Sequence, residues 1–188
     1  MKLPDRAFTE LPWRLHRYAA DFHVEDVWRV RSGGAGPDDF PAVLAALLEA
    51  TERSDDSGLL LTVRERLGAV LGWDRPEHGP GARVRPLSDR LPPDLAATAA
   101  GRMFGPFTGV YALPDEAVAE LANKTVHGLV HLGWTPGDDG HELRMTVLVK
   151  TNGRLGSLYL RLIGPFRDHL VYPSLVRRWE RVLRERVR

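Results

Sequence analysis

The sequence predicts an α+β fold: a curved antiparallel sheet of six or seven strands around a long, kinked C-terminal helix, with two short helices after the first strand. Three observations carry that reading. NKTVHGLVHLGW, the turn GDDG and HELRMTVLVKT read as strand, hairpin and strand. Beyond Gly153, the residues Leu155, Leu158, Tyr159, Leu162, Ile163 and Phe166 fall at helical spacing, so one stripe must bury against a flat apolar surface, which the strands supply. The strand-like DFHVEDVWRVR precedes two helical segments, FPAVLAALLEATER and LLLTVRERLGAVLGW.

In chain order, Met1 to Ala20 lacks periodicity and reads as an N-terminal arm or irregular edge, leaving residues 21–188 as a single domain. Asp21 to Arg31 alternates as a half-buried strand whose apolar side, Phe22, Val24 and Trp28, is broken by Asp26. Such an acid sits either at a bulge near a sheet edge or faces an enclosed cavity. SGGAGPDD is a loop, and Asp38 or Asp39 is a natural N-cap for the helix that follows. In the second helix Leu60, Val63, Leu67, Val70 and Leu71 share a stripe, and Gly72 is a C-terminal stop.

Asp74 to Pro93 is rich in proline and reads as loop around a short strand near Ala82 to Leu87, followed by one or two helical turns from Pro93 to Ala100. PFTGVYAL, then Ala117 to Asn123, Thr125 to Trp134 and Glu142 to Thr151 form an antiparallel meander, with Asp139-Gly140 as the hairpin pair. In the final helix, Gly164-Pro165 and Tyr172-Pro173 each remove a backbone donor and predict a kink or two joined pieces.

At 188 residues the chain is long enough for one domain with its own core. It has no cysteine, which excludes disulfides, thiolate catalysis and cysteine-held metals, and a reducing cytoplasm fits. No apolar leader and no run of about 18 apolar residues is present, so neither export nor membrane spanning is expected. A net charge of +1 gives no field for nucleic acid or an anionic membrane. Lysine occurs only as Lys2, Lys124 and Lys150, and the predominance of arginine reads as coding bias. The arginines of the last segment suit a helix C-terminus and lack the aromatic interleaving of an RNA-binding surface. GGAG lacks the spacing of a nucleotide-binding loop.

GLLLTVRERLGAVLGW, PFTGVY, ELANKTVHGLVHLGW and LYLRLIGPFRDHLVYPSLVRRW occur in that order, and the sequence from about Asp21 to Arg178 resembles a bacterial family of unknown function. That family is grouped with the START-like superfamily, also called SRPBCC, helix-grip or polyketide-cyclase-like. The resemblance implies a sheet, usually of seven strands, curled around the long helix with a cavity between them. Members of the family also occur as C-terminal appendages to short-chain dehydrogenase-like domains. The resemblance brings no catalytic residues.

His127 and His131 are four apart, but on a strand that places them roughly 13 Å apart, too far to share a metal ion without help from other elements, of which His141 is the nearest candidate. They are either imidazoles facing the cavity or residues of the outer sheet face, and parity puts Val126, Val130, Leu132 and Trp134 on the core side. Lys150, beside a strand end, reads as a solvated ammonium rather than a catalytic amine, and the same holds for Lys124. Around the helix kink, where side chains can meet a ligand, Phe166 is expected inward and Tyr172 lies at the second break. Arg167 either pairs with a ligand carboxylate or phosphate or, the favoured reading, forms a structural salt bridge near Asp168 or the sheet rim.

The candidate ligand-binding set is therefore Asp26, Trp28, Tyr111, His127, His131, Tyr159, Phe166, Arg167 and Tyr172. No metal or cofactor is expected. The expected function is binding of a hydrophobic or amphipathic small molecule between sheet and C-terminal helix. Two alternatives stay open: a cofactor-independent enzyme of the polyketide cyclase type using the same cavity, and a protein interaction domain. No acid–base pair is visible from spacing, and a homodimer is also left open.

Overall fold

The computed structural model describes residues 1–52, 85–98, 103–104, 107–122, 126–151 and 167–186. Its described strands are β1 (Lys2–Leu3), β2 (His23–Arg31), β3 (Met103–Phe104), β4 (Phe107–Ala112), β5 (Glu116–Ala122), β6 (Val126–Gly137) and β7 (Gly140–Thr151). They form one antiparallel sheet of seven strands in the order β1-β2-β7-β6-β5-β4-β3. The helices are α1 (Arg6–Thr9), α2 (Phe40–Glu52), α3 (Pro93–Ala97) and α4 (Tyr172–Arg186). The α+β architecture with a C-terminal helix on an antiparallel sheet is as the sequence predicts. The expected second helix after β2 and the first half of the long C-terminal segment lie outside the described residues.

Both faces of the sheet are covered. On one, which we call the helix face, Trp28, Val30, Leu132, Trp134, Leu143 and Met145 pack against Phe40, Val43, Leu44 and Leu47 of α2 and Val176 and Leu183 of α4. On the other, the lid face, Val27, Val110, Tyr111, Val118, Leu129 and Leu148 are covered by Phe8, Trp13, Leu15 and Phe22 and by Leu87, Leu91 and Leu95. The first twenty residues, which read as an arm or irregular edge, thus contribute an edge strand and much of a covering layer. Phe8, Trp13 and Leu15 are the apolar anchors that hold this layer down.

Three local features differ from the sequence reading. The hairpin between β6 and β7 turns on Asp138 and Asp139, with Gly137 opposite Gly140. Gly140 follows at φ +100°, and a Cβ there would lie 2.7 Å from the Ala35 carbonyl oxygen, so glycine is needed just after the turn. The expected strand near Ala82 to Leu87 ends, within the described residues, in a 3-10 turn at Leu87–Arg90. At Tyr172-Pro173 the chain does not break: a π-helical turn, Arg167–Val171, leads directly into α4. Pro173 is the second residue of α4, in the first turn, where a backbone N–H has no α-helical acceptor, which is why proline is tolerated there.

Candidate functional site

Two clusters of polar side chains are built on this sheet, one per face. On the helix face, the ladder between β2 and β7 slips between Val24 and Asp26. The bulge puts Val24 and Asp26 on opposite faces although they are two residues apart: Val24 packs with the lid-face cluster, and Asp26 shares the helix face with Trp28 and Val30. Asp26 is 1% exposed and forms a 2.6 Å ion pair with Lys2 Nζ, which also reaches Asp168 at 2.6 Å. Lys2 sits opposite Trp28 in the β1–β2 ladder, so the edge strand carries its ammonium over the buried acid and onto the π turn before α4.

Beside this pair, the Trp28 and Tyr172 rings meet edge-on at 5.8 Å. Trp28 is buried, and among the described residues its indole Nε1 has no hydrogen-bond partner. It forms part of the wall of a groove of about 350 Å³ between β2 and α4, together with Arg29, Arg31, Pro173, Val176, Arg177 and Glu180. Glu180 accepts a hydrogen bond from the Arg31 backbone N–H at 3.2 Å, which ties α4 to the strand at the groove floor.

On the lid face, β5 and β6 present two carboxylate–imidazole pairs. Glu120 Oε2 lies 2.8 Å from His127 Nε2, and Glu116 Oε2 lies 3.1 Å from His131 Nε2; all four residues are at most 3% exposed. Each glutamate also accepts a backbone N–H from the covering layer: Glu116 from Arg14 at 2.9 Å and Glu120 from Leu87 at 2.8 Å. The pairs are therefore pins that fasten the two covering segments to the sheet. Burial lowers the pKa of His131, although the neighbouring Glu116 opposes that shift. Burial, with Glu116 beside it, raises that of the Tyr111 hydroxyl. Trp13 lies 4.9 Å from His131, ring to ring, over Gly133, where a Cβ would come within 2.7 Å of the indole.

The expected ligand set is thus divided by the sheet. Asp26, Trp28 and Tyr172 come together on the helix face. Tyr111, His127 and His131 lie on the lid face, where parity placed the histidines, and a buried layer covers them. His141 stacks on Trp134 on the helix face, so it is no helper to the other two histidines. Among the described residues no group of three or more His, Cys, Asp or Glu side chains is arranged to hold a metal ion. Tyr159 and Phe166 lie outside the described residues; Arg167 opens the π turn, but its side chain is not described. Lys150, expected to be solvated, pairs with Asp21 at 2.9 Å.

Sequence reasoning missed Glu116, Glu120 and Lys2. A signal for the glutamates was present. EAVAE and HGLVH repeat one polar residue every fourth position on strands that neighbour in the meander, which brings acid and imidazole diagonally together on one face.

A family model described as "Protein of unknown function (DUF2867)" matches residues 18–174. The chain belongs to this family. No curated protein and no solved structure matches it. The DUF2867 match takes in β2 to β7 and reaches the first residues of α4, so it holds Asp26, Trp28, Asp168, Tyr172 and both glutamate–histidine pairs, while Lys2, Arg14 and the groove residues Val176, Arg177 and Glu180 lie outside it. No described helix of this DUF2867 chain is long and apolar enough to cross a membrane.

Proposed function

We propose that this DUF2867 chain is a small-molecule binding module of the helix-grip type, taking an amphipathic ligand between the sheet and the C-terminal helix. The observation that supports it best is the groove at Trp28. Its volume of about 350 Å³ falls in the range of roughly 300–1,000 Å³ usual for small-ligand sites. Its wall joins apolar surface from Trp28, Pro173 and Val176 to polar groups at the rim. The ordering of the elements also favours a helix-grip assignment, since α4 lies across the sheet in the position the resemblance implies for the gripped helix.

Catalysis finds less support. Neither His127 nor His131 shares a face with Asp26 and Tyr172, and each is already engaged by a glutamate. Native mass spectrometry of the protein purified from its own source tests the proposal. The expected result is a co-purifying species that is released on denaturation and returned chemically unchanged after incubation. A bare mass, together with no response of the Trp28 indole resonance to a panel of amphiphiles, would overturn it, and turnover of the ligand would replace binding by catalysis.

A further inference from the structure

The geometry points to an anionic headgroup: the groove at Trp28 receives an amphipathic carboxylate or similar small anion, with Arg31 and Arg177 as its headgroup contacts. This inference rests on the proposed binding role and names the ligand class for the same site.

The argument comes from which charges at the groove are already matched. Arg29 is occupied, its guanidinium lying 3.1 Å from Asp138 and 3.5 Å from Glu142. The Glu180 carboxylate accepts the Arg31 main-chain N–H, a neutral donor that leaves its charge in place, and the Met1 ammonium, which also lines the groove, donates to the Arg29 carbonyl. On the helix face Arg178 is engaged too, donating to the Ala50 carbonyl near the end of α2. Arg31 and Arg177 differ from these. Both are exposed, both line the groove, one from β2 and one from α4, and neither guanidinium makes an ion pair or hydrogen bond among the described residues.

Arg31, Arg177 and the Met1 ammonium outnumber the carboxylate at the groove, Glu180, so the net charge there favours an anion, which gains charge-assisted hydrogen bonds. The apolar part of the ligand then lies along Trp28, Pro173 and Val176. A cation is disfavoured for the same reason.

The test uses the full chain with ¹⁵N-labelled tryptophan, the Trp28 indole resonance being assigned through Trp28→Phe, and three probes of equal chain length: octanoate, 1-octanol and octyltrimethylammonium. Octanoate is expected to shift the Trp28 resonance with a Kd about tenfold below that of octanol, the ammonium being weakest. The double variant Arg31→Gln/Arg177→Gln, which alters two exposed side chains that have no partner among the described residues, is expected to bind octanoate no better than octanol. Equal affinities for octanoate and octanol in the wild type, tighter binding of the ammonium, or an unchanged octanoate Kd in the double variant would overturn the anionic class while leaving groove binding in place. No Trp28 response to any probe would overturn both.

Discussion

The two faces of the sheet bury charge in opposite ways. On the lid face, Glu116, Glu120, His127 and His131 are all buried, and each glutamate is engaged twice, by an imidazole and by a backbone N–H of the covering layer. On the helix face, one buried acid, Asp26, is met by a lysine that is 45% exposed, and the groove beside it retains two arginines whose guanidiniums have no partner among the described residues. The difference shows that a concentration of buried titratable groups does not by itself mark a functional site. Where hydrogen-bonding capacity is already committed to the chain's own backbone, the cluster fixes the fold; where it is not, a ligand has something to meet.

The strongest way to test that contrast is to remove one member of a lid-face pin. Glu116→Leu leaves the Arg14 N–H and His131 Nε2 buried without their acceptor. Leaving a buried polar group without its hydrogen-bond partner costs about 1–3 kcal/mol. Urea denaturation is expected to show that loss, and His131→Leu added to Glu116→Leu is expected to recover part of it, because the orphaned imidazole goes too. A change under about 1 kcal/mol for Glu116→Leu would mean that the pins do not hold the layer.

How much of this was legible beforehand follows the same division. The meander from Phe107 to Thr151 and the helix Phe40–Glu52 could be read from alternation and helical spacing, since each buries a face whose pattern is local. Asp26 stood out because it broke that pattern, and the bulge at Val24/Asp26 is the reason. The covering layer was not legible. Phe8, Trp13 and Leu15 are anchored one by one in irregular backbone, which has no period to detect. β1 escaped for a similar reason: two residues cannot show an alternation, and their pairing with Val27 and Trp28 is a tertiary event. The partners of His127 and His131 required knowledge of which strands are neighbours and in what register, so the histidines could be placed on a face but not given a role.

Acid is expected to separate the faces next. Burial, the largest influence, depresses the pKa of His131 against the opposing Glu116, and His16 and Asp115 are the other charged groups that act on it. An unfolded histidine titrates near about 6.5. As the pH falls below that value, the unfolded chain takes up a proton that the folded chain resists, so stability is present above it and is lost as the pH drops through the lower folded value. The urea midpoint is expected to decline from pH 7 to pH 5 in the wild type and to decline less in His131→Gln. Asp21 acts in a separate window: Arg90, against a desolvation penalty and with help from Lys150, holds its carboxyl below the usual range, so its contribution persists until the pH falls below about 4. A wild-type midpoint that is flat between pH 7 and pH 5 would remove His131 as the acid-sensitive element.

The helix face answers to alkali instead, and by the smallest margin. Desolvation works to lower the pKa of Lys2, but its hydrogen bonds to Asp168 and Asp26 outweigh it and the net shift is upward. A raised folded pKa means that the contribution is complete below the ordinary lysine value of about 10.4 and is lost as the pH rises through the folded one. Because the lysine is 45% exposed, solvent screening holds the effect of Lys2→Met to about 1 kcal/mol or less. The more telling readout is local. Lys2 is what carries β1 onto both the buried Asp26 and the π turn, so Lys2→Met is expected to speed amide hydrogen exchange in β1 and in the segment Arg167–Val171 together. Exchange in β5 and β6, whose pins lie on the opposite face, is expected to stay unchanged, and acceleration there instead would mean that the two faces are not independent.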